Sequence, residues 1–118
     1  MESILKNKSY DFAIRIVKLY QYLFKEKKEL VLSKQILRCG TAIGALIREA
    51  EYAQSKADFT SKMSIALKEA NETDYWLSLL KDTQYLREKE YNSLKADIDE
   101  LIKLLIATVK TSKKNPSK

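Results

Sequence analysis

The sequence contains no histidine, and this absence narrows the chemistry open to the protein. Histidine is the commonest general base and metal ligand near neutral pH. A four-helix di-iron site needs a Glu-x-x-His motif from each of two helices, which this chain cannot supply. The chain also has no glycine-rich loop of the phosphate-binding type. The sequence therefore predicts a protein that is not an enzyme and that uses no cofactor and no metal.

Cysteine, proline and glycine are also scarce. The single cysteine, Cys39, excludes an internal disulfide and is expected to be a buried, inert thiol in a reducing compartment. One proline and two glycines leave little turn chemistry for a β-rich fold, so helices are favoured. No signal peptide and no apolar run long enough for a membrane span is found. We therefore expect an all-α, cytoplasmic protein with no membrane partner.

Four segments with helical periodicity follow one another along the 118 residues. Their apolar side chains recur at three- and four-residue steps over residues 9–27, 33–54, 55–83 and 87–110. Ser33 and Ser55 are expected to cap the second and third helices. This pattern predicts an antiparallel up-down-up-down four-helix bundle as the domain 1–110. Residues 111–118 are polar and basic, and we expect them to form a disordered tail.

Both glycines lie in the second helix, one turn apart, in the stretch RCGTAIGALIREA. Each costs about 1 kcal/mol relative to alanine inside a helix, so Gly40 and Gly44 are expected to serve the close approach of another helix. Leu46 widens the apolar surface beyond what one neighbour needs. We therefore expect the second helix to pack on two sides, one of them against another subunit. Close packing within the bundle alone is the alternative.

The third helix carries acids among large apolar side chains. Trp76 lies on a second apolar face that also holds Glu69 and Glu72. These acids are expected either to be solvated at the rim of this face or to pair with a cation such as Arg38 or Arg48. The two acids by themselves are a poor cation site because no further ligand is placed beside them.

The net charge of +6 is concentrated in the first half of the chain and in its tail. Cations recur at three- and four-residue steps on the outer faces of the first two helices, and each row includes a tyrosine. The candidate nucleic-acid-binding residues are Lys8, Arg15, Lys18, Tyr22 and Lys25 on the first helix, and Lys34, Arg38 and Arg48 on the second. Phosphate neutralisation and base stacking need such side chains, so the rows predict an interface for structured RNA or DNA. An ordinary solvated helix face has the same pattern.

The segment 35–86 resembles the four-helix-bundle proteins encoded in intervening sequences of bacterial 23S ribosomal RNA genes. The motifs that carry the resemblance are LRCGTAIGALIREA, SKADF and IALKEANETDYWL, and YDFAIRIVKLYQYL in the first helix agrees in pattern. The wider family includes the accessory protein of diversity-generating retroelements. The resemblance implies a four-helix bundle that assembles into a ring-like homopentamer. It also implies RNA binding, from the genetic setting of these proteins.

Most residues that match the family pattern are expected to be architectural. They are Arg38, Gly40, Thr41, Ile43, Gly44, Glu49, Asp58, Phe59, Glu69, Glu72 and Trp76. The chain departs from the pattern at Leu46, where asparagine is frequent, and at Arg87, where a helix-capping residue is usual. The leading prediction is a non-enzymatic, ring-like homo-oligomer that binds structured RNA or DNA. The alternative is an accessory subunit or scaffold that docks to a reverse transcriptase.

Overall fold

Four α-helices account for nearly all of the chain in a computed structural model that describes residues 2–114. They are α1 (Glu2–Lys25), α2 (Leu32–Glu51), α3 (Lys56–Asp82) and α4 (Glu88–Lys114). Each helix packs against the next one in sequence, and α1 closes the bundle against α4. Since the connections are short, consecutive helices run in opposite directions. The all-α, antiparallel four-helix bundle predicted from the sequence is confirmed, and it is 52 Å long.

The core of the bundle is built from one apolar face of each helix. Its largest fully buried side chains are Leu5, Phe12, Ile16 and Leu23 of α1, Ile36 and Ile43 of α2, Met63, Leu77 and Leu80 of α3, and Ile98, Leu101 and Leu105 of α4. These residues recur at three-, four- and seven-residue steps, because such steps return a side chain to the same face of a helix. Leu46 and Trp76 are half-buried and pack against the edge of this core.

Both glycines of α2 face α1, as the prediction of close helix packing requires. A Cβ atom at Gly40 would meet the side chain of Ile16, and one at Gly44 would meet the backbone of Ser9. The absence of a side chain at these two positions therefore lets α1 lie close against α2. In this structure both glycines lie against α1 within the bundle, and their use in subunit assembly stays a prediction.

Two helices are longer than the periodicity predicted. α1 begins at Glu2, and Leu5 in this added part is 1% exposed in the core. At the other end of the chain, α4 continues to Lys114, so the first half of the expected disordered tail is helical. Ser112 is buried in that extension, and its hydroxyl hydrogen-bonds that of Thr60 on α3. The last four residues of the expected tail, 115–118, lie outside the described part of the chain.

The cap of α2 differs from the one that the sequence predicted. The carboxylate of Glu29 accepts hydrogen bonds from the backbone N–H groups of Val31, Leu32 and Ser33, at 3.0, 2.9 and 2.7 Å. Ser33 instead lies in the first turn, where its hydroxyl donates to the Glu29 carbonyl oxygen at 2.8 Å. Burial acts to raise the pKa of the Glu29 carboxyl, but the backbone hydrogen bonds outweigh it, and the pKa lies below its ordinary value. Glu29, not Ser33, therefore caps α2.

The predicted cap of α3 is confirmed. The Ser55 hydroxyl accepts a hydrogen bond from the backbone N–H of Asp58 at 3.0 Å. Asp58 in turn accepts one from the N–H of Gln54 at 3.1 Å, a reciprocal arrangement that satisfies two free donors. The hydrogen bond from the Gln54 backbone, together with one from the Lys62 side chain, lowers the pKa of Asp58.

Candidate nucleic-acid interface

The cationic row predicted on α1 lies along the seam between α1 and α4. α1 contacts α4 much less than it contacts α2, and two ion pairs bridge the seam. Lys8 Nζ lies 3.3 Å from Glu100 Oε2, and Arg15 Nη1 lies 2.7 Å from Asp97 Oδ2. Arg15 also donates from Nη2 to the Ser93 hydroxyl at 2.9 Å. Two of the predicted cations are therefore matched by acids of α4 and help to join the two helices.

Beyond Arg15 the seam opens into a groove of about 470 Å³, which we call the α1–α4 groove. It is lined by Arg15, Lys18, Leu19 and Tyr22 of α1, by Leu86 and Arg87 just before α4, and by Glu90 and Leu94 of α4. The three leucines are buried and make an apolar floor. The structure thus brings the predicted residues Lys18 and Tyr22 together in one concave site. It adds Arg87, which in the sequence is only a departure from the family pattern.

Four lysines cluster around the connection between α1 and α2. Lys25 ends α1, Lys34 lies in the first turn of α2, and Lys27 and Lys28 lie between them. These four lysines and Lys18 are exposed and form no ion pair with any residue that the structure describes.

Only two acids occur in the sequence segment 18–34, and Glu29 is one of them. Its carboxylate is buried and already accepts the three backbone hydrogen bonds at the start of α2. The other acid, Glu26, is exposed. We call the region of Lys18, Lys25, Lys27, Lys28 and Lys34 the basic end of the bundle.

The cationic row predicted on α2 is largely engaged by neighbouring helices. Arg38 Nη2 lies 2.6 Å from Glu72 Oε2, and its Nη1 lies 3.5 Å from Glu69 Oε1. Trp76 Nε1 donates to the same Glu72 oxygen at 3.2 Å. Of the two arrangements considered for these acids, the structure has the one in which they pair with Arg38. Arg48 stacks instead over the Tyr10 ring of α1, 6.0 Å from its centroid.

The two rows do not merge into one surface along the length of the bundle. Lys8 and Arg15 face α4, whereas Arg48 meets Tyr10 on the side of α1 that faces α2. The outer side of α1 carries four large, exposed apolar or aromatic side chains. They are Tyr10, Ile14, Val17 and Phe24, which are 57%, 41%, 38% and 47% exposed. We call these four residues the apolar ridge.

The described part of the chain offers few side chains suited to metal binding or to nucleophilic catalysis. Among residues 2–114 no three side chains of the metal-binding types lie together. Cys39 is fully buried, and burial raises the pKa of its thiol, which disfavours the reactive thiolate. No helix in the described range is both long enough and apolar enough to cross a membrane.

Known proteins are similar to this chain over almost its whole length. A family model described as 23S rRNA-intervening sequence protein matches residues 1–107. A similar crystal structure is that of a protein of unknown function from the S23 ribosomal protein family of Bacteroides thetaiotaomicron VPI-5482. It shares 58% sequence identity with this chain and has a TM-score of 0.91, and the alignment covers 92% of this chain and 97% of that one. No curated protein matches the chain significantly.

Proposed function

We propose that this chain, which belongs to the 23S rRNA-intervening sequence protein family, is a non-enzymatic cytoplasmic protein that binds structured nucleic acid as a ring-like homo-oligomer. The observation that carries the proposal is the basic end of the bundle. Lys18, Lys25 and Lys34 keep exposed charges there, while Lys8 and Arg38 are matched by acids of other helices. The name of the family makes RNA the first target to test.

Phosphate recognition accounts for this arrangement of charge. Lysines that have no acidic partner can replace the counterions condensed on a nucleic acid, and the release of those ions favours binding. Each phosphate contact steepens the decrease of affinity with salt, so three to five contacts give a strong salt dependence. Tyr22, which lies beside Lys18, adds an aromatic face on which a base can stack.

The test is fluorescence anisotropy with a labelled RNA hairpin and a DNA duplex, each titrated at low and at physiological salt. The variant combines Lys18→Glu, Lys25→Glu and Lys34→Glu. The matched control combines Lys68→Glu, Lys103→Glu and Lys110→Glu, which are exposed lysines of α3 and α4 without ion pairs among the described residues. Both variants have the same net charge, so long-range attraction changes equally in both.

We expect the variant at the basic end to lose at least tenfold in affinity, and the control to lose much less. Equal losses in the two variants would leave only general electrostatic attraction. Absence of binding by the unchanged protein at low salt would refute the proposal. Circular dichroism on both variants checks that the helices are intact.

The apolar ridge of α1 supports the oligomeric part of the proposal. Its four side chains follow one side of the helix, and apolar patches of this kind are typical of surfaces that contact other proteins. The test is native mass spectrometry, in which the 13.7 kDa chain should appear as a closed homo-oligomer, with five subunits expected. Combining Ile14→Asp with Val17→Asp should give monomers of unchanged helical content.

The same ridge favours a second candidate function, an accessory subunit that docks to another protein such as a reverse transcriptase. A monomeric protein with an exposed apolar ridge would favour this candidate over the ring. Its binding would change little with salt, because apolar contacts release no counterions. A pull-down with purified reverse transcriptase at low and high salt separates it from nucleic-acid binding.

A further inference from the structure

We propose that the α1–α4 groove holds one unpaired nucleotide of the bound nucleic acid, with its base on the leucine floor beside Tyr22 and its phosphate between Lys18 and Arg87. This inference rests on the proposed function and adds to it the kind of structure that is recognised. A single nucleotide that leaves the stack presents both an apolar face and a charge, and the groove offers a partner for each.

The size and floor of the groove suit a base. Its volume of about 470 Å³ lies within the range of small-molecule sites in proteins, roughly 300–1,000 Å³. Leu19, Leu86 and Leu94 form the floor and are 8%, 5% and 4% exposed, so they are held in place by the core beneath them. The half-buried ring of Tyr22 forms a wall. A base that enters the groove therefore exchanges water for a rigid apolar and aromatic surface.

The charges around the groove fit the backbone of a strand. Lys18 has no ion pair with a described residue, and Arg87 has a side chain that is 81% exposed and only a distant partner, Glu90 at 3.8 Å. Arg15 is held at the inner end of the groove by Asp97 and is less available. The two cations at the mouth of the groove suit a phosphate group outside it. The uncharged floor suits a base inside it. A fully paired helix can supply the phosphate but not the base.

The acid in the groove predicts a base preference. A carboxylate can accept two hydrogen bonds from the adjacent N1–H and N2–H groups of guanine, whereas uracil places carbonyl oxygens on both sides of its single N–H group. Glu90 is the only acid among the residues that line the groove in the described structure. We therefore expect an unpaired guanosine to bind best and an unpaired uridine least well.

The experiment compares RNA hairpins that differ only in one bulged nucleotide: guanosine, uridine or none. The measured quantity is the ratio of affinities for the bulged and the fully paired hairpin at one salt concentration. We expect the unchanged protein to prefer the guanosine bulge by about tenfold, as one stacking contact would give. Tyr22→Ala should bring this ratio close to one, and Tyr22→Phe should keep it because the ring is retained.

Substitutions at three exposed positions make the test independent of folding. Arg87→Glu should lower the ratio, whereas Lys25→Glu, the matched charge change outside the groove, should weaken binding to all hairpins equally. Glu90→Gln should reduce the preference for guanosine over uridine.

Three results would overturn the inference. Equal affinity for bulged and paired hairpins would mean that the protein binds nucleic acid as proposed but that the groove does not recognise an unpaired nucleotide. A preference that survives Tyr22→Ala and Arg87→Glu places the recognition elsewhere. Absence of binding to every hairpin refutes both the inference and the proposed function.

Discussion

A Cβ atom added at Gly40 would lie 2.9 Å from both Cγ1 and Cγ2 of Ile16. These two atoms branch from one carbon of a fully buried side chain, so no staggered rotamer moves both of them away. We therefore expect Gly40→Ala to destabilise the protein by about 1–3 kcal/mol through overpacking, although alanine is the better helix former. Urea unfolding followed by circular dichroism at fixed protein concentration measures the change.

Gly44→Ala is the matched control, one turn along the same helix. Its added Cβ would lie 3.4 Å from the Ser9 carbonyl oxygen, which is close to an ordinary contact. The gain in helix propensity, about 1 kcal/mol, should offset that contact and leave stability nearly unchanged. Equal effects of the two substitutions, or a stabilising Gly40→Ala, would show that α1 can withdraw from α2 without cost.

The Glu29 cap predicts how stability depends on pH. Since the pKa of Glu29 is lower in the folded protein than in the unfolded chain, its stabilising effect is complete above the ordinary carboxyl pKa. That effect is lost as the pH falls through the lower pKa of the folded state. Glu29→Gln should therefore cost about 1–2 kcal/mol near neutral pH, because the amide offers one weaker acceptor to three N–H groups.

The difference between the two proteins is the quantity to measure, because Asp58 and other carboxyl groups also titrate. Urea unfolding of the unchanged protein and of Glu29→Gln, at about pH 6 and about pH 3, gives that difference. We expect the difference in unfolding free energy between the two proteins to be smaller at about pH 3 than at about pH 6. A difference that is constant across this range would mean that the charge of Glu29 does not contribute to the cap.

The sequence pattern predicted the helices well because each core face is local and repeats within one segment. The apolar steps of Ile36 and Ile43, for example, are visible without knowledge of any partner. The ends of the helices were harder to predict. Leu5 extends the core face of α1 through a polar stretch, and Glu29 caps α2 from outside it, four residues before Ser33.

The candidate site was predictable only in part, for a different physical reason. A row of cations looks the same from sequence whether or not acids face it. The partner of Arg15 is Asp97, on a helix at the other end of the chain. Arg38 likewise pairs with an acid of a different helix, Glu72 of α3. The α1–α4 groove also brings Lys18 together with Arg87, which is far away in the sequence, and no local pattern signals that pairing.

Burial of Cys39 predicts slow thiol chemistry. The side chain is fully buried, and the resulting rise of its pKa keeps the thiol protonated near neutral pH. We expect an aromatic disulfide reagent to react with the folded protein far more slowly than with the protein in concentrated urea. Fast reaction of the folded protein would show that α2 opens locally at Cys39.

Gln84 has a backbone φ of 69°, in the left-handed region, in the connection between α3 and α4. This conformation costs a residue with a Cβ about 1–2 kcal/mol and costs glycine almost nothing, whereas glycine loses more freedom on folding. The side chain of Gln84 is exposed, so its removal disturbs no packing.

We expect Gln84→Gly to stabilise the protein by about 0.5–1 kcal/mol and to raise Tm by a few degrees. Gln84→Ala keeps the Cβ atom and should not increase stability. Thermal unfolding of the two variants therefore separates the effect of removing backbone strain from the effect of removing the side chain. A lower Tm for Gln84→Gly would mean that the left-handed turn is already relaxed and that the added freedom of the unfolded chain dominates.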